Sequence, residues 1–140
     1  MKPLARLVAI ATGLALMMNT TPSWSQVPNA GEPVDLDTLD PIYSAYMKKV
    51  KQRIYSKWGY PYEAQAKGLQ GKVVIEFHIA RDGSLQFVGI KQSSGEEILD
   101  RFATIAVKLG QRYPPLPDAL GRDVLPIVGS FVYTLRSPEK

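Results

Sequence analysis

The sequence has no cysteine, a single histidine and no apolar run of membrane-spanning length, and each shortage removes a class of function. Without cysteine there is neither a disulfide framework nor a thiolate metal site. One histidine, His78, builds neither a zinc site nor a Ser-His-Asp triad by itself, so enzymatic chemistry lacks its commonest parts. The longest apolar stretch, residues 7–18, holds 12 residues, short of the roughly 20 that cross a bilayer as a helix. What remains is ordinary for one globular domain: 140 residues, 45% hydrophobic and 21% charged, with 11 Gly and 11 Pro.

Residues 1–25 have the three parts of a secretory signal. Lys2 and Arg6 precede the apolar run, and a polar stretch closes on Ser23-Trp24-Ser25, where small residues suit a cut. The mature chain is expected to begin near Gln26 and to lie in the periplasm. The alternative is an uncleaved inner-membrane anchor, for which Trp24 would sit at the interface. Removing residues 1–25 takes two basic and no acidic residues, so the formal charge falls from +4 to +2 and the charge argument for nucleic acid goes with it. Residues 26–40 are rich in Pro, Gly and acids and lack a helix or strand period, which predicts a disordered lead. The folded domain is expected over residues 41–140.

Asp40-Pro41 is a helix start, an N-cap acceptor followed by a residue whose missing N–H costs little in the first turn. Tyr43, Tyr46, Met47, Val50, Ile54 and Trp58 then recur at spacings of three and four, predicting an amphipathic helix stopped by Gly59 and Pro61. Alternation of Val73, Ile75, Phe77 and Ile79 with polar neighbours predicts a strand, with His78 on its other face as a surface or half-buried side chain. Asp82-Gly83 supplies a hairpin turn to a second strand over residues 85–93. A second helix follows, capped by Ser94 or a neighbour, with Ile98, Leu99, Phe102, Ile105, Ala106 and Leu109 on one core-facing side. Gly110 ends it. Tyr113-Pro114-Pro115-Leu116-Pro117 reads as an extended crossover, and residues 127–135 as the last strand.

This order predicts a small α+β fold: a three-stranded antiparallel sheet of spatial order 2-1-3 with two helices on one face. The first strand is central, and the second and third each leave an unpaired edge, a place where a partner strand can add. No cofactor is required by any residue pattern.

Tyr60-Pro61, Gly71-Lys72-Val73-Val74, Asp82-Gly83, Ser94-Gly95, Leu99-Asp100, Tyr113 through Pro117 and the closing Phe131 to Leu135, taken in order, resemble the C-terminal domain of TonB proteins. The stretch from Tyr46 to Trp58 is also similar to the first helix of the TolA C-terminal domain. The resemblance implies a non-enzymatic periplasmic module that grips an outer-membrane TonB-dependent receptor or another envelope protein. It further implies energy transduction where such a domain is anchored beside ExbB-like and ExbD-like proteins, although this chain lacks the long Pro/Lys-rich spacer of full TonB proteins. Carried over residue by residue, the partner-binding positions are Tyr60 and Pro61 just before the sheet, and Val128, Ser130, Phe131, Val132 and Tyr133 on the strand that pairs with the partner. A homodimer formed through a free edge is the structural alternative.

Overall fold

The computed structural model describes residues 31–135; the expected signal and the first part of the expected lead lie outside the described residues. Four strands and three helices alternate as β1 (Val34–Asp35), α1 (Pro41–Tyr55), α2 (Tyr62–Ala66), β2 (Gly71–Ala80), β3 (Leu85–Gln92), α3 (Glu97–Leu109) and β4 (Val124–Tyr133), with a 3-10 turn at Asp118–Leu120. Among the described residues no helix is long and apolar enough to cross a membrane.

The sheet has the order β1-β4-β2-β3. Within it the antiparallel set β3-β2-β4 is the arrangement that the hairpin and crossover imply, with β2 central between Leu85–Gln92 and Val124–Tyr133. The expectation of three strands is corrected to four. Val34 and Asp35 pair in parallel with Ile127 and Val128, and the next residue, Leu36, donates its amide to the Val128 carbonyl at 2.8 Å. The physical reason is Leu36, whose side chain is 1% exposed. One buried leucine moors the segment, so two flanking residues suffice as a strand in a stretch whose Pro, Gly and acid content otherwise reads as unstructured.

Local chemistry accounts for the remaining elements. The Asp40 carboxylate accepts from the Ile42 amide at 3.0 Å, and Pro41 occupies the first turn of α1. That helix stops at Tyr55, earlier than Gly59 and Pro61 suggest, because Ser56 turns its hydroxyl back onto the Arg53 carbonyl at 2.8 Å. Trp58 therefore packs from a loop. Pro61 begins the five-residue helix α2, which occupies a stretch that sequence reading leaves as polar connection. In the β2–β3 turn Gly83 sits at φ +93°, and a Cβ there would meet the Tyr113 carbonyl oxygen at 2.0 Å, so glycine is required for both conformation and space.

The core lies between the helices and one sheet face, built on Val73, Ile75, Phe77 and Ile79 of β2, Leu125, Ile127 and Phe131 of β4, Tyr46, Met47, Val50 and Ile54 of α1, and Leu99, Ala103, Ala106 and Val107 of α3. The predicted inward face of α3 is corrected here. Phe102, Ile105 and Leu109 are exposed, because the helix turns its small residues Ala103 and Ala106 to the sheet and so packs close to it. His78 is buried, 1% exposed, rather than superficial; its Nε2 lies 2.7 Å from Glu76 Oε2, which accounts for a polar pair on the second sheet face.

Candidate partner-binding edge

Strand β4 is the element on which the predicted site residues converge, and its two backbone edges differ. In an antiparallel strand successive residues direct their N–H and C=O groups to opposite sides. The Val128 carbonyl faces β1, accepting from Leu36, so Ser130 and Val132, at the same parity, direct their backbone groups away from β2 as well. Pro126 has this parity too. A proline within the strand is tolerated there because the N–H it lacks would not have belonged to the β2 ladder. Gly129, Phe131 and Tyr133 point the other way and bond to Ile75, Val73 and Gly71.

β1 covers this edge at Ile127 and Val128 and then leaves it. From Ser130 to Tyr133 the outward groups of β4 have no backbone partner among the described residues. The opposite edge of the sheet, along Leu85–Gln92 of β3, is likewise unpaired among the described residues. Of the predicted residues, Val128 already has its outward carbonyl engaged, Ser130 and Val132 offer both backbone and exposed side chains, and Phe131 is a core residue at 0% exposure. Val132 is half exposed, at 50%.

The end of this edge is framed by aromatic rings. Trp58 stands edge-on to Phe131 and to Tyr133, with centroids 5.3 Å away in each case, and Tyr60 stands edge-on to Tyr133 at 5.2 Å. The Trp58 indole donates to the Tyr133 hydroxyl at 2.6 Å, and Tyr60 donates to the Leu69 carbonyl. Burial pushes the Tyr133 phenol above its ordinary range, with the Trp58 hydrogen bond acting against it, so the group stays a neutral acceptor. A cavity of about 250 Å³ opens here, lined by Trp58, Gly59, Tyr60, Val132, Tyr133 and Thr134. The two halves of the predicted site, Tyr60 and the closing strand, are thus brought together. Pro61 is not at this surface: it is buried at the start of α2. Sequence reading missed Trp58 as a site residue because its spacing placed it on the core stripe of α1.

The serines of the β3–α3 turn hold structure. The Asp100 carboxylate accepts from the Ser93 hydroxyl, from the Ser94 amide at 2.9 Å and from the Ser94 hydroxyl at 2.7 Å, while Ser94 Oγ accepts from the Glu96 amide at 3.0 Å. Partial burial pushes the Asp100 carboxyl up, and the hydrogen bonds together outweigh it, holding the group below the usual carboxylate range. Gly71 lies against Ser94, a Cβ there falling 2.8 Å from it, and His78 is seven residues further along β2. At about 3.3 Å per residue that separation denies Ser94 the histidine as a base.

The described residues form an open-edged α+β domain in which the accessible backbone of β4 ends in an aromatic cleft. The family described as the Gram-negative bacterial TonB protein C-terminal matches residues 57–135, and the chain belongs to it. The family is non-enzymatic, consists of envelope proteins and acts in TonB-dependent transport. The chain is 32% identical over 90 residues to TonB of Helicobacter pylori, covering 64% of this chain and 32% of that protein. To TonB of Haemophilus influenzae it is 35% identical over 68 residues, covering 49% of this chain and 25% of that protein. It thus spans about a third or less of the curated relatives it matches. The solution structure of the H. pylori TonB C-terminal domain superposes with a TM-score of 0.60 at 26% identity, over 71% of this chain and 89% of that one.

Proposed function

We propose that this chain is a periplasmic binding module of TonB-dependent transport that takes an extended segment of an outer-membrane receptor or another envelope protein as an added strand on β4. The observation that carries this reading is the outward backbone of Ser130 and Val132, which has no partner among the described residues and borders the Trp58–Tyr60–Tyr133 cleft. An added strand gains hydrogen bonds from these groups regardless of its sequence, and a side chain seated in the cleft supplies selectivity. β1 sets one limit of the site: the partner strand begins beyond Val128, where β1 departs. Coupling to ExbB-like and ExbD-like proteins belongs to the form of this function in which the chain is held at the inner membrane.

Proline substitutions test the reading, because parity separates binding from folding. Val132→Pro removes an outward N–H and adds a steric block, so the fold survives, as Pro126 does in the same strand, while affinity for a receptor segment falls about tenfold or more. Phe131→Pro removes a donor of the β2 ladder and unfolds the domain. Titration calorimetry on the folded Val132→Pro protein decides it: unchanged affinity would move recognition away from this edge.

A further inference from the structure

Gly59 is a glycine that its own backbone does not require. Its φ is not positive, and a Cβ built there meets nothing within 4 Å, whereas Gly83 is held to glycine by both conformation and space. Nor is Gly59 needed for close packing: it is exposed, in the loop between α1 and α2. What it does have is a place in the wall of the cleft of about 250 Å³ at the end of the β4 edge, with Trp58, Tyr60, Val132, Tyr133 and Thr134 as the other lining residues. A side chain at position 59 would occupy open space at this wall, and glycine leaves that space empty.

The chemistry of the cleft suits an apolar occupant. None of its lining residues is Lys, Arg, His, Asp or Glu. The donors of two of its rings are already spent, since the Trp58 indole donates to the Tyr133 hydroxyl at 2.6 Å and the Tyr60 hydroxyl donates to the Leu69 carbonyl. Val132 is 50% exposed and Trp58 and Tyr60 are half-buried, so each keeps surface for a partner to cover. A charged side chain placed here loses water and meets no counter-charge in the wall, whereas an apolar one gains by leaving water against Trp58, Tyr60 and Val132.

We propose that the cleft is a pocket for one uncharged aliphatic side chain of the strand that adds to β4, and that Gly59 is the specificity-determining residue that keeps it open. The inference rests on the edge reading above and names the side chain that such a strand brings. Continuity places it: Val132, whose outward backbone receives the strand, is itself part of the cleft wall. An added strand lies about 4.8 Å beyond β4, so its residue beside Val132 stands at the mouth of the pocket.

The test uses the full chain and capped peptides of the form Thr-Ser-Thr-X-Thr-Ser-Thr, with leucine, alanine, glutamate or lysine at X. Binding is followed by NMR through the Ser130 and Val132 amides, which report strand addition, and through the Trp58 indole N–H, which reports the cleft. The leucine peptide binds about tenfold or more tightly than the glutamate and lysine peptides and shifts the Trp58 indole. Gly59→Leu removes the advantage of leucine over alanine at X while the unfolding midpoint stays at the parent's value. Gly59→Ala, which adds one carbon, reduces that advantage and serves should the larger variant fail to fold. Equal affinity for all four peptides with the Ser130 and Val132 amides still shifting, tighter binding of a charged peptide, or a leucine preference undiminished in a folded Gly59 variant would overturn the pocket and leave the edge reading standing. Unmoved Ser130 and Val132 amides with every peptide would overturn the edge reading, and the pocket with it.

Discussion

At the residue scale, two phenylalanines on apolar stripes have different fates. Phe77 is fully buried beside Tyr113, with ring centroids 6.2 Å away, whereas Phe102 is 40% exposed on the flank of α3. Phe77→Ala is expected to cost about 3–5 kcal/mol through the cavity it leaves. Phe102→Ala loses part of a surface contact and costs under about 1.5 kcal/mol. Urea unfolding of the two variants checks the difference, and equal losses would place Phe102 in the core. Asp100 offers a pH test. Because its folded carboxyl titrates below the unfolded value, its contribution is present above the unfolded pKa and is lost as pH falls through the folded one. Asp100→Asn should therefore be less stable than the parent near neutrality and should lose less stability on acidification, measured as unfolding midpoints from pH 7 down to about pH 3. Parallel loss in both proteins would show that the Ser93–Ser94–Asp100 cluster contributes nothing to the acid limb.

At the element scale, the strip that moors β1 makes the sheet edge what it is. Leu36 is 1% exposed and packs over Gly129, where a Cβ would fall 3.0 Å from its side chain, so Leu36→Ala is expected to destabilise the domain by about 2–5 kcal/mol and to loosen the Leu36–Val128 hydrogen bond first. Amide exchange at Leu36 reads this directly; protection equal to the parent's would mean that β1 holds without its anchor. The elements legible in the sequence were those that repeat: the period of Tyr46, Met47, Val50 and Ile54, the alternation of Val73, Ile75, Phe77 and Ile79, and the Asp82-Gly83 turn all appear as read. The misreadings have a common physical source. Leu36 and Pro61 act alone, without a period to reveal them, and α3 has two adjacent apolar strips, so periodicity locates the helix without telling which strip faces the sheet. The family resemblance singles out Tyr60 and the closing strand, which the structure places side by side; the place of Trp58 beside Tyr133 is hidden in the sequence, since it follows from the early end of α1 at Tyr55.

At the scale of the whole molecule, the described residues form a domain whose sheet is covered by helices on one face and open along its outer backbone. One stretch of that outer backbone, Ser130 to Tyr133, adjoins a cleft walled by Trp58 and Tyr60, while the other end of the same strand is taken by β1. In the proposed function that asymmetry gives a short receiving edge with a fixed starting point, to which a partner would bring a few extended residues and one side chain for the cleft. The most direct measurement is residue-resolved amide exchange of the protein with and without a saturating extended segment from a TonB-dependent receptor of the same organism. The account predicts that the Ser130 and Val132 amides, exposed in the free protein, slow by about tenfold or more on binding, while the ladder amides of Gly129 and Phe131 change little. A segment that binds tightly yet leaves the Ser130 and Val132 amides exchanging at their free rates would contradict it.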